Sequence, residues 1–115
     1  MKTELEGRTL EFAIRIASFV DLLPRTTSGW TLGRQLLKSA TSVGANYREA
    51  GRAESKEDFI HKVAIAEKEA SETEYWLLIC QRTFPDRPEI PALLDESKQL
   101  LAILTAIGRN AKKRP

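Results

Sequence analysis

Apolar side chains recur at intervals of three and four residues along nearly the whole chain, and this spacing restricts the fold more than any other feature. No segment of useful length alternates apolar and polar residues, as a half-buried strand does. Three segments break the helical pattern: a turn cluster at residues 23–29, a glycine and capping signal at 51–58, and a proline-rich stretch at 85–91. The sequence therefore predicts four helices, over roughly residues 8–23, 30–51, 56–83 and 90–110.

The length of 115 residues suits one domain, which we expect to span residues 1–115. Because the connections are short, consecutive helices should pack antiparallel. We predict an all-α fold, an antiparallel up-and-down four-helix bundle, with a basic C-terminal tail at residues 109–115 that is frayed.

The counts of reactive residues argue against an enzyme. Because the chain has one cysteine, it can form no internal disulfide. A carboxylate-bridged metal pair uses two Glu-x-x-His motifs, whereas this chain has one histidine, and Asp58-x-x-His61 is the only comparable match. Cys80 lies among apolar residues and is better explained as core than as a nucleophile. No glycine-rich phosphate loop is present. We expect no catalytic residue, no metal and no cofactor.

Neither a membrane segment nor a leader is apparent. No apolar run approaches the length that spans a bilayer, and residues 1–7 lack the apolar core of a signal peptide. We therefore expect a cytoplasmic protein without a membrane partner.

The second predicted helix separates into distinct faces at about 100° per residue. Its core face repeats an apolar pattern, and the opposite side carries a basic stripe, defined here as Arg34, Lys38, Arg48 and Arg52. A further side of this helix, with Gly44 at its centre, carries almost no side chains, and we call it the glycine lane. It indicates close approach of another backbone, unless its outer glycines merely lie near helix ends.

Polar and aromatic positions on the second and third helices are candidates for helix packing or subunit contacts. Asn46 and Glu49 lie one turn apart and fit an interhelical hydrogen-bond network better than a ligand site. On the third helix, Tyr75 and Trp76 lie outside the predicted core seam, so this helix has more apolar surface than one bundle buries, which favours self-association. Trp30 is also aromatic, and we consider base stacking by these rings less expected than packing.

The charges are divided unevenly along the chain. Bases dominate residues 22–53 and acids dominate residues 54–74, although the formal net charge is only +2. That net charge alone does not indicate nucleic acid. The candidate phosphate-binding residues are the basic stripe together with four residues of the tail: Arg109, Lys112, Lys113 and Arg114. Alternatively, the acidic helix of the same or a neighbouring subunit neutralises the stripe.

Two stretches resemble a known family. Residues 35–50 read QLLKSATSVGANYREA, and residues 55–77 begin SKEDFIHK and end EASETEYWL. Together they are similar to the four-helix proteins encoded by intervening sequences of bacterial 23S ribosomal RNA genes, often labelled S23, over about residues 8–108. Lys38 stands where that family usually has arginine before Ser39, a change that keeps the charge.

The resemblance implies a ring-like homo-oligomer, a homopentamer, and a relationship to the pentameric accessory protein of diversity-generating retroelements, which binds nucleic acid and a reverse transcriptase. It brings no catalytic residues. Two hypotheses follow. In the first, a non-enzymatic oligomeric bundle binds RNA or another nucleic acid through the basic residues. In the second, a structural or adaptor assembly binds a protein partner and no nucleic acid.

Overall fold

The computed structural model describes residues 4–115 and contains four α-helices. They are α1 (Glu4–Val20), α2 (Thr27–Ala50), α3 (Lys56–Thr83) and α4 (Ile90–Lys113). No strand occurs between residues 4 and 115. The prediction of an all-α chain with four helices is therefore confirmed.

Two helices begin earlier than the sequence pattern indicated. α1 starts at Glu4, not near residue 8, and it ends at Val20, not residue 23, because the chain closes into a turn in which the Leu23 amide donates to the Val20 carbonyl. α2 starts at Thr27, not residue 30. The Thr26 hydroxyl accepts a hydrogen bond from the Gly29 amide at 3.1 Å, which caps the first turn.

The basic C-terminal segment is also more ordered than predicted. α4 continues to Lys113, so Arg109, Lys112 and Lys113 are helical and only Arg114 and Pro115 follow the helix. The predicted helix over residues 90–110 already included Arg109, and in the structure the helix continues through Lys112 and Lys113. Cations in the last turn interact favourably with the negative end of the helix dipole. Gly108 in the preceding turn is buried, where an added Cβ would lie 3.6 Å from Val63.

The helices form a closed square in which each helix packs on its two neighbours. α2 contacts α1 and α3, and α4 contacts α3 and, less extensively, α1, whereas no close backbone contact joins the diagonal pairs α1–α3 and α2–α4. Contacts between Ser39 and Thr73 and between Glu49 and Lys62 show that α2 and α3 run antiparallel. The bundle measures 49 × 22 × 22 Å.

Each helix contributes one apolar seam to the core. On α1, the buried residues follow a spacing of four, three, four and three from Leu5 to Phe19. On α3, the positions that the helical spacing predicts for the core are buried from Val63 to Leu77, and Phe59, which begins this series, is half-buried. Residues spaced in this way return to the same side of a helix, so one buried stripe per helix suffices to close the bundle.

The glycine lane of α2 faces α1 of the same chain. A Cβ on Gly44 would lie 3.0 Å from the Thr9 hydroxyl oxygen and 3.1 Å from the Thr9 Cβ, so the two helices approach closely at this point. At the start of α2, a Cβ on Gly29 would lie only 1.9 Å from the Pro24 carbonyl oxygen. Glycine is therefore required at position 29 for steric reasons, and at position 44 any larger residue needs Thr9 to shift.

A buried hydrogen bond joins α2 to α3. The Thr73 hydroxyl lies 2.9 Å from the Ser39 hydroxyl and 2.8 Å from the carbonyl of Glu69 in its own helix, and both hydroxyl-bearing residues are buried. The Ser39 hydroxyl in turn lies 3.2 Å from the Leu36 carbonyl. Since buried polar groups need partners, the pair favours one register of α2 against α3.

Cys80 belongs to this core. Its side chain is fully buried, and burial raises the pKa of the thiol from 9.0 to about 11. A neutral, enclosed thiol is a poor nucleophile, so the structure agrees with a packing role for this residue.

We predict that Gly44→Leu lowers the free energy of unfolding by about 1–3 kcal/mol, because the larger side chain must displace Thr9 or α1. The matched control is Gly7→Leu, since nothing lies within 4 Å of a Cβ on Gly7. Urea unfolding followed by circular dichroism gives both values. A Gly44→Leu variant that keeps its stability but loses its subunit contacts would contradict the internal role of Gly44.

We predict that Cys80 in the folded protein reacts with a thiol-specific disulfide reagent at least about 100-fold more slowly than in the unfolded chain, because its pKa is about two units higher and the reagent is excluded. The raised pKa also means that the neutral thiol stabilises the fold below pH 9. That contribution declines as the pH rises towards 11. Equal labelling rates of folded and urea-unfolded protein would contradict the burial.

Candidate functional site

The basic stripe lies on the outward side of α2. Arg34, Lys38 and Arg48 are exposed residues of the helix, and Arg52 is exposed in the turn that follows it. At about 100° per residue, the three helical residues lie on the side of α2 opposite Leu32 and the rest of the core seam. The structure therefore brings this predicted set together on one surface.

None of the stripe residues takes part in an ion pair among residues 4–115. The two pairs found there join Arg8 to Glu96 at 2.6 Å and Lys62 to Glu49 at 2.9 Å. The Arg8–Glu96 pair links α1 to α4, and it raises the pKa of the Arg8 guanidinium. The acidic residues of α3 therefore leave the stripe of α2 unpaired within the described chain.

The charge of Lys38 in the basic stripe acts on Glu69 of α3. Partial burial and the nearby Glu72 carboxylate raise the pKa of Glu69, while Lys68 and Lys38 act in the opposite direction. Lys38 thus lies close enough for its charge to act on Glu69 but forms no ion pair with it. A carboxylate with a raised pKa destabilises the fold slightly at neutral pH, and this penalty disappears as the pH falls.

The second predicted basic set lies at the end of α4. Arg109, Lys112 and Lys113 line a groove of about 410 Å³ between α3 and α4, together with Glu67 and Thr105. The Thr105 hydroxyl donates to the Glu67 carboxylate at 2.7 Å. An acidic side chain thus lies in the floor of this groove.

The structure does not join the two basic sets into one patch. Because α1 to α4 alternate in direction, α2 and α4 end at the same end of the bundle, but they occupy diagonally opposite corners. Arg114, the last basic residue, follows α4, and its carbonyl accepts a hydrogen bond from the Lys56 side chain at the start of α3. The two sets therefore form separate surfaces.

The five predicted packing residues have different environments. Gly44 packs on α1, as described above. The Asn46 amide donates to the Ser42 carbonyl of its own helix at 2.8 Å, so it does not bridge helices, whereas Glu49 pairs with Lys62 of α3. Trp76 packs partly buried against the core, and its ring meets Tyr75 edge-on with centroids 5.2 Å apart. Tyr75 itself is 58% exposed.

An apolar surface on α1 was not predicted from the sequence. Leu10 is 50% exposed and Ile14 is 52% exposed, and Leu10 borders a groove of about 280 Å³ whose other wall includes Gly44, Ala45 and Arg48 of α2. The two residues are four apart and lie off the core seam, so the same helical spacing that located the core contained this signal.

Other site types find no support in the described chain. Among residues 4–115, no cluster of three or more histidine, cysteine, aspartate or glutamate side chains is placed to hold a metal ion. None of the four helices carries an apolar stretch of the length that crossing a bilayer requires.

Comparison with known proteins identifies relatives of this chain. Among curated proteins, none matches it. A crystal structure of a protein with unknown function from the S23 ribosomal protein family of Bacteroides thetaiotaomicron has a similar fold, with a TM-score of 0.82 and 39% sequence identity. The likeness covers 90% of this chain and 96% of that one. The family model described as "23S rRNA-intervening sequence protein" matches residues 2–106. The chain therefore belongs to the 23S rRNA-intervening sequence protein family.

Proposed function

We propose that this protein is a non-enzymatic, ring-like homo-oligomer, a homopentamer, that binds RNA through the basic stripe of α2. The observation that carries the RNA-binding part is the state of Arg34, Lys38, Arg48 and Arg52. All four are exposed on one side of the bundle, and none is paired with a carboxylate within the described chain.

Phosphate binding explains such a surface better than fold stability does. Exposed ion pairs stabilise a fold by only about 0–1 kcal/mol each. The stripe would therefore contribute little to the stability of the fold, whether its residues are paired or unpaired. A row of unpaired cations on one helix instead attracts a polyanion, and each phosphate contact releases a bound counterion. The name of the family associates its genes with ribosomal RNA, which makes RNA the preferred polyanion.

The apolar surfaces support assembly. Leu10 and Ile14 are exposed on α1, and Tyr75 and Leu78 are exposed on α3. Because α1 and α3 occupy diagonally opposite corners, these two surfaces face away from each other. A contact between the α1 surface of one subunit and the α3 surface of the next is heterologous, and such contacts form a ring when the rotation from one subunit to the next closes. The number five comes from the family resemblance.

A protein adaptor is the second candidate function. The groove between α1 and α2 combines small side chains on its α2 wall with Leu10 on its rim, a shape that suits an apolar side chain of a partner. In this case the α1 surface binds another protein, and the oligomer shows no salt-sensitive binding to RNA.

We predict that replacing Arg34, Lys38, Arg48 and Arg52 together by glutamine weakens binding to a single-stranded RNA probe and flattens its salt dependence. Loss of up to four phosphate contacts should reduce the slope of log K against log salt by as much as about 3 per subunit engaged. Fluorescence anisotropy at several salt concentrations measures both quantities.

The matched control removes four other exposed cations, Arg15, Lys68, Arg82 and Lys98, which lie on α1, α3 and α4. It changes the net charge equally but should keep most of the affinity. Equal losses in the two variants would mean that net charge, and not the stripe, governs binding. Wild-type protein that binds no RNA at low salt would overturn the proposal and favour the adaptor.

We predict that Ile14→Glu and Tyr75→Glu each dissociate the assembly while the helical content stays unchanged, because each charge lies in one half of a heterologous contact. Native mass spectrometry of the separate variants should show monomers. An equimolar mixture should show a heterodimer, since the intact α3 surface of the first variant can bind the intact α1 surface of the second.

Homodimers of either single variant would indicate a symmetric contact and contradict the head-to-tail arrangement. An Ile14→Glu variant that retains the wild-type mass would leave the α1 surface free for another protein, as the adaptor candidate requires.

A further inference from the structure

The aromatic ring of Trp30 is unusually accessible. Among the described large apolar residues it is the most exposed, at 61%. It lies in a regular helix, directly after the buried Gly29 and two residues before the buried Leu32. Exposing so large an apolar ring to water forgoes the free energy that its burial would contribute. A binding partner for the ring would recover that free energy.

Trp30 lies in line with the basic stripe. At about 100° per residue, it shares the angular position of Arg48 on α2 and lies about 40° from Arg34 and about 80° from Lys38. Trp30 and Arg34 are one turn apart, which places their Cβ atoms about 5–6 Å from each other. The outward side of α2 therefore begins with an aromatic ring and continues with cations.

The backbone beneath Trp30 is held firmly. The Trp30 amide donates to the Thr26 carbonyl at 2.9 Å, and the Thr26 hydroxyl accepts from the neighbouring Gly29 amide. Gly29 in turn packs so closely on the Pro24 carbonyl that no side chain fits there. A ring on a fixed backbone loses little conformational freedom when a ligand stacks on it.

We propose that Trp30 is a stacking platform for an unpaired base, so that Trp30, Arg34 and Lys38 together form a binding site for single-stranded RNA. This inference rests on the proposed RNA-binding function and specifies its ligand. The cations hold successive phosphates, and the indole ring takes the face of a base that is free of its duplex. Base–aromatic stacking tolerates any sequence, because every base has a π-face.

The other aromatic side chains do not share this position. Tyr47 and Trp76 pack against the core, and Tyr75 is exposed on α3. Because Tyr75 belongs to the proposed subunit contact, the matched control is Leu22, an apolar side chain that is 51% exposed in the turn after α1.

The test compares Trp30→Ala, Trp30→Phe and Leu22→Ala with the wild type, using a short fluorescein-labelled oligouridine and a blunt RNA duplex. We expect Trp30→Ala to bind the oligouridine about tenfold more weakly with an unchanged salt slope, because no phosphate contact is lost. Trp30→Phe should retain most of the affinity, and Leu22→Ala should bind as the wild type does. Binding to the duplex should not change in Trp30→Ala.

Indole fluorescence provides a second readout with unlabelled oligouridine. Saturating oligouridine should quench the emission of the wild type but not that of Trp30→Phe, whose remaining indole is the core-packed Trp76. Equal affinities of wild type and Trp30→Ala, without quenching, would overturn the stacking site and leave the RNA-binding proposal intact. Wild-type protein that binds neither probe would overturn both. A Trp30→Ala variant that loses both the oligomeric mass of the wild type and its affinity for RNA would assign Trp30 to a subunit interface and overturn the stacking site.

Discussion

The packing of α2 between α1 and α3 determines where every candidate surface of this protein lies. On one side, Gly44 allows α1 to approach as far as Thr9; on the other, Ser39 and Thr73 share a buried hydrogen bond with α3. A rotation of α2 about its axis would separate both contacts at once. It would bury cations and break the hydrogen bond between Ser39 and Thr73, whose net contribution is about 0.5–1.5 kcal/mol, although each hydroxyl keeps the carbonyl partner in its own helix. The outward direction of the basic stripe is therefore a consequence of contacts on the opposite sides of the same helix.

Helical periodicity predicted the number of helices and the core seams of α2 and α3, because an apolar stripe must be buried wherever the chain places it. It also predicted that Lys38 and its stripe would share one side of α2. The same pattern could not identify the neighbour of a given side: the lane at Gly44 indicated a close approach, but only the packing order shows that α1 fills it. The end of α4 was misjudged for a related reason, since contacts with α3 and the helix dipole extend the helix beyond its last apolar turn.

The separation of the two basic sets depends on topology, which no local pattern contains. Residues near the ends of α2 and α4 reach the same end of the bundle because the helices alternate in direction, yet the closed square keeps those two helices apart. The acidic character of α3 is distributed in the same way. Glu67 is held by Thr105 of α4, while Glu69 faces the side of α2 and acts on Lys38 only at a distance. The acidic residues of α3 therefore form no ion pair with the basic stripe of α2 in the described chain, although Lys62 of α3 pairs with Glu49 of α2.

Assembly and RNA binding make compatible demands on such a square. If subunits join through α1 and α3, these two diagonal helices are covered, and the other diagonal pair, α2 and α4, remains open on opposite sides of the ring wall. The stripe that contains Arg34 is then repeated around one side of the ring and the end of α4 around the other. Since affinity for a polyanion rises steeply with the number of phosphates contacted, repetition of four cations has a larger effect than the net charge of +2 on one chain suggests. A small net charge and a strong, salt-sensitive affinity for RNA are consistent with each other once charge is considered per surface and per assembly.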